Sequence, residues 1–278
     1  MIPPREQWCI EVDVTSACQR RCSNCLRLSV AHRPEPWHMS VEQYAAALDA
    51  AAGFVKQPSD KKRRRRHIGM IGGEPLLHPK FLELCQVLEQ KIPREHRAIF
   101  TGVKLDSHPF GAIVRRVFSY VNENLHNTNC FHQPVLVAPV DVVPDEAERR
   151  EYISKCLLQE EWSSTFTPKG FFFCEVAGAF DAAFDGPGGM SVEPECWKHD
   201  LDHYNEQIER WCHRCGVCLP LPGRLDSEHV DDVSPTNLQA LKDINSPRVA
   251  RGQYAEVDES MLRSRAGWKP FAYLRDKA

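Results

Sequence analysis

Three cysteines near the start of the chain have the residue type and spacing of a metal site. Cys18, Cys22 and Cys25 follow the pattern C-x3-C-x2-C, directly after an alternating, β-branched run at residues 8–15 that predicts a strand. A closed structural zinc site needs four ligands, and no further Cys or His follows before His32. Three thiolates at a strand end therefore indicate an iron–sulfur cluster with one iron open to a substrate or cofactor.

A glycine-rich turn follows the next predicted strand, at residues 67–71. It reads Gly72-Gly73-Glu74-Pro75. In a parallel barrel the carboxyl ends of the strands share the face where active sites form, so we expect this turn beside the cysteine loop. Glycines there let a ligand approach the main chain closely, and Glu74 offers a carboxylate to an ammonium group.

A second group of cysteines lies in the last third of the chain. Cys212, Cys215 and Cys218 form the pattern C-x2-C-x2-C, a compact set of thiolates suited to iron–sulfur ligation. A fourth ligand must come from elsewhere, and Cys174 or Cys196 could supply it. The alternative is a four-cysteine zinc site, because C-x2-C spacing is normal there as well.

The remaining cysteines carry no predicted chemistry. Cys9 falls within the first strand, and Cys85 and Cys156 lie at helical spacing among apolar residues, where a cysteine is commonly a small core side chain. Cys130 lies in a polar segment, residues 122–133, that we do not assign.

The elements that must position these residues alternate between strand and helix. Strands are predicted at residues 8–15, 67–71, 97–101, 134–138 and 170–173, and helices at residues 40–55, around 81–88, at 109–121, at 145–161 and at 236–243. This order argues for parallel strands with right-handed crossovers. Five or six such units by residue 173 are fewer than the eight of a closed barrel. We therefore expect an α/β fold with an open, partial (β/α)6 barrel over residues 5–173 and a cysteine-bearing extension over residues 174–278.

Composition narrows the class of protein. The chain has 278 residues, a net charge of -3 and twelve cysteines. The charge provides no field that attracts nucleic acid or acidic membranes, and no apolar run approaches the roughly 18 residues of a membrane span. Without a leader of secretory type, many cysteines indicate metal binding in a reducing cytoplasm rather than disulfides.

The basic run at residues 61–66 enters a strand from the amino end, away from the active face, so we expect a solvated loop; docking of an acidic partner is the alternative.

The cysteine loop and the Gly-Gly-Glu-Pro turn together resemble the radical S-adenosylmethionine (SAM) enzymes. The resemblance implies that Cys18, Cys22 and Cys25 ligate a [4Fe–4S] cluster whose open iron chelates SAM, and that the turn holds the SAM amino group. Thr101, at the next strand end, is a candidate for lining the SAM site, with a plain strand-to-loop turn as the alternative. One departure is Asn24, where many family members carry an aromatic residue. Weaker candidates for contacting SAM or substrate are His126, Asn127, His132, Gln133, Ser163, Ser164 and Lys169.

The later cysteines resemble the auxiliary-cluster extensions called SPASM or, with a single cluster, twitch domains. That resemblance favours Cys174, Cys212, Cys215 and Cys218 as ligands of a second [4Fe–4S] cluster, with Cys196 as the alternate. It implies a SAM-derived radical that abstracts hydrogen from a sugar, cyclitol or nucleotide-like molecule, a net oxidation, and an external donor such as flavodoxin or ferredoxin.

Two alternatives stay open. A peptide maturase of the same superfamily is less expected, since only about seven residues precede the first strand. A zinc-stabilised binding protein that uses the basic run belongs to a different class.

Overall fold

The structure, a computed structural model, describes residues 1–125 and 130–263. Its strands are β1 (Cys9–Asp13), β2 (His67–Ile71), β3 (Arg97–Thr101), β4 (Tyr120–Glu123), β5 (Phe131–His132), β6 (Ser163–Thr167), β7 (Gly170–Phe172), β8 (Arg224–Leu225), β9 (Asp231–Val233) and β10 (Tyr254–Glu256). Its α-helices are α1 (Val41–Ala51), α2 (Phe81–Lys91), α3 (Gly111–Val117), α4 (Pro139–Val142), α5 (Glu146–Ser154), α6 (Leu157–Glu161), α7 (Glu175–Ala183), α8 (Asn205–Trp211), α9 (Pro235–Asp243), α10 (Pro247–Ala250) and α11 (Glu259–Arg263). Among these residues, no helix is long and apolar enough to cross a membrane.

A mostly parallel sheet of six strands forms the centre of the molecule, in the order β4-β3-β2-β1-β6-β7. β1 pairs in parallel with β2 on one side and with β6 on the other. β7 returns antiparallel to β6. The predicted mixed α/β class is thus confirmed, and the sheet is consistent with a partial barrel. One difference from the expected parallel strands is that β7 is antiparallel, and β1 lies inside the sheet.

The two faces of β1 have opposite chemistry, since successive side chains of a strand alternate. Ile10 and Val12 lie in the main hydrophobic core. On the other face, Cys9, Glu11 and Asp13 are also buried. The central strand is therefore covered on both sides, and its polar face is inside the protein.

The sequence patterns located several elements closely. β2 and β3 have the predicted bounds. α1 begins where the capping box predicts: Ser40 accepts a hydrogen bond from the Gln43 N–H at 3.1 Å, and the Gln43 side chain accepts one from the Ser40 N–H at 2.9 Å. These elements are specified by their own residues.

The segment 134–138 is not the predicted strand. It is a buried connection with a single bridge, from Leu136 to Val233. Its main chain bonds instead to the last third of the chain: Val135 accepts from the Gly216 N–H at 2.9 Å, and the Ala138 N–H donates to Ser234 Oγ at 2.7 Å. Apolar composition predicted the burial of this segment but not its partners.

Two other predictions in this region were wrong. Residues 120–123 form β4 rather than the end of a helix. The helix expected over residues 145–161 is broken at Lys155 and Cys156 into α5 and α6. Asp145 caps α5 by accepting a hydrogen bond from the Glu148 N–H at 2.8 Å, and Cys156 occupies the N-cap position of α6.

The chain after residue 173 packs back on the sheet. α7 contacts β6, β7 and α8, and β8 pairs with β5. The expected boundary at residue 174 stays a prediction, and the last fifteen residues of the expected extension lie outside the described part of the chain.

Candidate metal centres

The cysteine loop lies directly beyond the carboxyl end of β1. Cys22 is buried, and Cys18 and Cys25 are half-buried. Burial and, to a smaller extent, the neighbouring Cys25 raise the pKa of Cys18 to about 11 and that of Cys22 to about 12. Cys18 also raises the pKa of Cys22. The structure therefore brings the three predicted thiols within electrostatic reach of one another.

The glycine turn is bonded to the chain that leads into this loop. The Gly73 N–H donates to the Thr15 carbonyl at 2.7 Å, and the Glu74 N–H donates to the Ala17 carbonyl at 2.7 Å. A Cβ on Gly72 would lie 2.4 Å from the Thr15 carbonyl oxygen, and one on Gly73 would lie 2.4 Å from that of Ala17. We predicted glycine here for the approach of a ligand, whereas the structure requires it for the approach of another main chain.

Glu74 is buried and already accepts three hydrogen bonds. Its donors are the Leu76 N–H at 3.1 Å, the Thr101 hydroxyl at 2.8 Å and the Gly102 N–H at 2.8 Å. Burial raises its pKa, and these three bonds oppose the rise. A carboxylate has about four acceptor positions, so most of Glu74 serves to join its turn to the end of β3, and Thr101 holds Glu74 in place. Pro75 opens the short 3-10 turn that Glu74 caps.

Asn24 connects the cysteine loop to β9. Its φ of 49° is in the left-handed region, which asparagine tolerates better than most residues. Its amide accepts from the Asp232 N–H at 2.8 Å and donates to the Asp232 carboxylate at 2.7 Å, and its own N–H donates to Asp231 at 2.5 Å. A phenylalanine at this position could make none of these side-chain bonds.

A buried ion pair holds the main chain of the loop. Arg248 donates to the Cys22 carbonyl at 3.0 Å and to Asp231 at 2.8 Å, and both charged side chains are only 1% exposed. His32 lies 3.1 Å from the same carboxylate. Burial alone would raise the pKa of Asp231, but the hydrogen bond from His32 and the charges of His32 and Arg248 lower it. We call Asp231, Asp232 and Arg248 the C-terminal clamp.

A second buried charge group lies on the polar face of β1. Arg27 is 2.6 Å from Asp13, 3.1 Å from Glu175 and 3.7 Å from Glu11. Burial, and then the charge of Glu175, raises the pKa of Glu11 well above its usual value. Within the described residues, one carboxylate oxygen of Glu11 and one of Asp13 have no hydrogen-bond partner. This Arg27 cluster connects the cysteine loop to the inside of the sheet and to the start of α7.

Five cysteines line one apolar cavity of about 30 Å³. Four are the predicted ligands Cys174, Cys212, Cys215 and Cys218, and the fifth is Cys156, which we expected in the core. We call this space the thiol cavity. In the described chain, no three His, Cys, Asp or Glu side chains are already arranged around one ion position. The thiols nevertheless form the donor set that iron–sulfur clusters use.

The alternate ligand, Cys196, lies elsewhere. It is buried next to Trp197, and its carbonyl accepts a hydrogen bond from the Tyr204 hydroxyl at 2.8 Å. It does not line the thiol cavity. Of the two candidates for a fourth ligand that sequence spacing offered, the structure brings only Cys174 to the other three.

Three of the weaker polar candidates have structural partners, whereas the buried hydroxyls of Ser163 and Ser164 make no hydrogen bond within the described residues. His132 contacts the Ser23 carbonyl at 2.8 Å, Gln133 donates to the Leu219 carbonyl at 2.9 Å, and Lys169 lies 3.1 Å from Asp181. Ser163 and Ser164 are buried in β6. His126 and Asn127 lie outside the described residues.

Several residues of the basic run form ion pairs with acidic side chains of the same chain. Arg64 pairs with Asp60 at 2.6 Å and with Glu161 at 3.3 Å, and Lys62 also pairs with Glu161. Lys61 pairs with Glu6. These contacts agree with the expected solvated loop.

The sequence offered no signal for the residues that hold the first site from a distance. Asn24 and Asp231 are 207 positions apart, and Arg27 and Glu175 look like ordinary surface charges in the sequence. Only the polar residues inside the β1 run, Glu11 and Asp13, break an otherwise apolar strand and could have drawn attention.

Comparison with known proteins adds little to this geometry. No family model and no curated protein matches the sequence. Among solved structures, the chain is similar to BtrN in complex with AdoMet and 2-DOIA, at 15% identity and a TM-score of 0.40, over 75% of this chain and 88% of that one. At that TM-score the likeness carries no argument, and the assignment of a function rests on the residues of this chain.

Proposed function

We propose that this protein is a radical SAM enzyme in which Cys18, Cys22 and Cys25 hold a [4Fe–4S] cluster. One observation carries the proposal: the three thiols lie within electrostatic reach of one another beyond the carboxyl end of β1, and the chain leading to them is bonded to the Gly-Gly-Glu-Pro turn at the end of β2. Adjacent parallel strands deliver both motifs to one edge of the sheet. The pattern in sequence and the contact in space are independent, and both favour this chemistry.

The residues present fit such a cluster. Three thiols leave one iron of a [4Fe–4S] cluster without a protein ligand. The Cys18 sulfur accepts the Arg20 N–H at 3.4 Å, a bond that also suits a cluster-bound thiolate. The raised pKa values of Cys18 and Cys22 mean that the metal-free thiols are protonated at neutral pH, so binding must release protons.

When bound and reduced by an external one-electron donor such as flavodoxin or ferredoxin, the cluster supplies reductive cleavage of SAM to methionine and a 5′-deoxyadenosyl radical. The chain itself positions the site. Arg248 fixes the carbonyl of Cys22, and Thr101 and Glu74 fix the turn. Since three donors already occupy the Glu74 carboxylate, we assign the SAM ammonium group to the main-chain carbonyls of Gly72 and Gly73.

The second part of the proposal is an auxiliary [4Fe–4S] cluster in the thiol cavity, which would accept an electron from the substrate. This part is supported by contacts that connect the thiol cavity to the cysteine loop. Cys174 lines the thiol cavity, and the next residue, Glu175, contacts Arg27, which follows the cysteine loop by two positions. We propose a sugar, cyclitol or nucleotide-like substrate that is oxidised by hydrogen abstraction and then by loss of one electron and one proton.

Anaerobic reconstitution with iron and sulfide tests both parts. We expect about eight irons per chain, four for each cluster, and formation of 5′-deoxyadenosine from SAM after reduction. The triple variant Cys18→Ala/Cys22→Ala/Cys25→Ala is the control and should keep about four irons without cleaving SAM. A native chain with about four irons that cleaves SAM would remove the auxiliary cluster alone. Bound zinc with no iron would contradict the whole proposal.

A further inference from the structure

We propose that the basic run, residues 61–66, is a docking surface for an acidic one-electron carrier of the flavodoxin type, which takes an electron from the cluster in the thiol cavity. The inference rests on the auxiliary cluster of the proposed function. It adds a partner and an exit for the electron that the substrate gives up. The basic run precedes β2, so this exit lies at the opposite end of the sheet from the cysteine loop.

The basic run forms an ordered turn. The Asp60 carboxylate holds its main chain by accepting hydrogen bonds from the Lys62 N–H at 3.0 Å and the Arg64 N–H at 2.6 Å. Arg63, between them, is exposed and has a φ of 60°. The side chains of Lys61 and Lys62 are 77% and 57% exposed. The turn therefore presents several cations to solvent from fixed main-chain positions.

The basic run carries more positive charge than its acidic neighbours neutralise. All six of its residues are Lys or Arg. In the described part of the chain three acidic residues pair with them, namely Glu6, Asp60 and Glu161, whereas Arg63 and Arg65 form no ion pair there. Three positive charges are left over on a chain whose net charge is -3. This local surface attracts an acidic macromolecule although the whole chain does not.

One wall of the thiol cavity is the helix that also contacts the basic run. α6 lines the cavity with Leu158 and Gln159. Glu161, at the end of the same helix, pairs with Lys62, and with Arg64 at 3.3 Å. A single short helix therefore contacts the basic run with one residue and the cavity with two others.

The N-terminal segment makes a second connection of the same kind. Met1 lines the thiol cavity, and the Ile2 N–H donates to Gln159 Oε1 at 2.6 Å. Glu6, in the same segment, pairs with Lys61. Two pieces of chain that wall the cavity are thus each joined to the basic run by an ion pair, so a carrier seated on the run would lie next to the cavity wall.

The chemistry of the partner follows from the redox role of the cavity. One electron leaves the reduced auxiliary cluster and enters the oxidised flavin of the carrier, which takes up one proton from water and becomes a neutral semiquinone. Trp162, the residue after Glu161, is 38% exposed, and tryptophan and arginine are enriched in protein interfaces. RNA would use the same positive charge, but it has no use for a connection to a redox site.

The experiment uses the variant that lacks all three cysteines of the loop, reconstituted with iron and sulfide, so that only the auxiliary cluster reacts. The cluster is reduced, as checked by its electron paramagnetic resonance (EPR) spectrum, and mixed in a stopped-flow instrument with oxidised flavodoxin of acidic surface. Adding Arg63→Glu/Arg65→Glu should slow the second-order reaction by about tenfold or more, and added salt should slow the parent. The control Lys242→Glu/Arg251→Glu makes the same change in net charge at exposed positions elsewhere and should keep the parent rate.

Equal rates for Arg63→Glu/Arg65→Glu and the parent would overturn the inference, as would a rate that does not depend on salt. Binding of flavodoxin to the metal-free native chain, followed by flavin fluorescence, should weaken with the same substitutions. A parent that binds no iron would defeat the auxiliary cluster, and this titration would still decide the docking surface. Binding of a transfer RNA in place of flavodoxin would also overturn the inference.

Thermal unfolding shows whether the charge-reversed protein keeps its fold. Arg63→Gln/Arg65→Gln, which removes the charges without reversing them, should react at an intermediate rate. A variant that reacts slowly but unfolds at the parent temperature has lost a docking surface and not its fold.

Discussion

The cysteine loop and the thiol cavity bring thiols together in two different ways. The loop carries its three cysteines within eight consecutive residues, and distant segments only hold it in shape. The thiol cavity collects its cysteines from a helix break, a helix N-terminus and two adjoining 3-10 turns. A site confined to one loop can be read from spacing, whereas a site assembled from several elements depends on how those elements pack.

Removing a ligand of the cysteine loop should have the largest effect. Cys22→Ser is expected to lower iron from about eight to about four per chain, since only the auxiliary cluster keeps its full set of thiols. Cleavage of SAM should fall to background. Iron analysis and quantification of 5′-deoxyadenosine check this, with Cys85→Ser, a buried helix residue away from both sites, as the control. Equal iron contents in Cys22→Ser and the native chain would contradict the proposal that the cysteine loop holds its own cluster.

Breaking the C-terminal clamp should have the second largest effect. Arg248→Met leaves Asp231 charged in a buried place, and loss of one partner of a buried pair typically costs about 3–5 kcal/mol. Urea unfolding should report that loss, and iron should leave the cysteine loop faster than the thiol cavity during chelation. The matched control is Arg251→Met, an exposed residue three positions away. Equal loss of iron from both sites would show that the clamp does not serve the loop in particular.

The glycine turn should give a smaller loss of stability. In Gly73→Ala the new Cβ would meet the Ala17 carbonyl at 2.4 Å, so the two main chains must separate, at a cost of about 1–3 kcal/mol for overpacking. Affinity for SAM, measured by equilibrium dialysis, should fall with it. Gly53→Ala is the control, because its nearest contact would be an ordinary 3.4 Å. Unchanged SAM affinity in Gly73→Ala would show that the glycine turn does not contribute to SAM binding.

The Arg27 cluster should give the smallest effect, visible as a dependence of stability on pH. Burial and Glu175 raise the pKa of Glu11 above 4.5, so the folded protein keeps a proton that the unfolded chain has released. Stability should therefore fall as pH rises above about 4.5 towards the folded pKa. Glu11→Gln, which cannot ionise, should be less sensitive than the native chain between about pH 5 and about pH 8 in urea unfolding of the metal-free protein.

The exposed Glu83→Gln is the control for that comparison, since its side chain is about half exposed. It should keep the pH dependence of the native chain. A Glu11→Gln variant with the native pH dependence would place the proton on another group of the cluster.

The sequence predicts features that are specified within one segment, and it fails for features that depend on contacts between distant segments. Local signals located β2, β3 and the start of α1, because periodicity and a capping box lie within each element. They failed at residues 134–138, where an apolar run takes its hydrogen bonds from Gly216 and Ser234 rather than from the sheet. They also missed the break at Cys156, since apolar spacing continues through it. Arg248 gave no signal because the Cys22 carbonyl that it holds is 226 residues away.

The central claim is that the cysteine loop holds a cluster with an open iron. EPR spectra of the reconstituted, reduced protein, recorded with and without SAM, test it most directly. The account predicts a [4Fe–4S] signal that changes on addition of SAM and that is absent from the variant lacking Cys18, Cys22 and Cys25. A protein that binds iron but has no SAM-sensitive signal would contradict it.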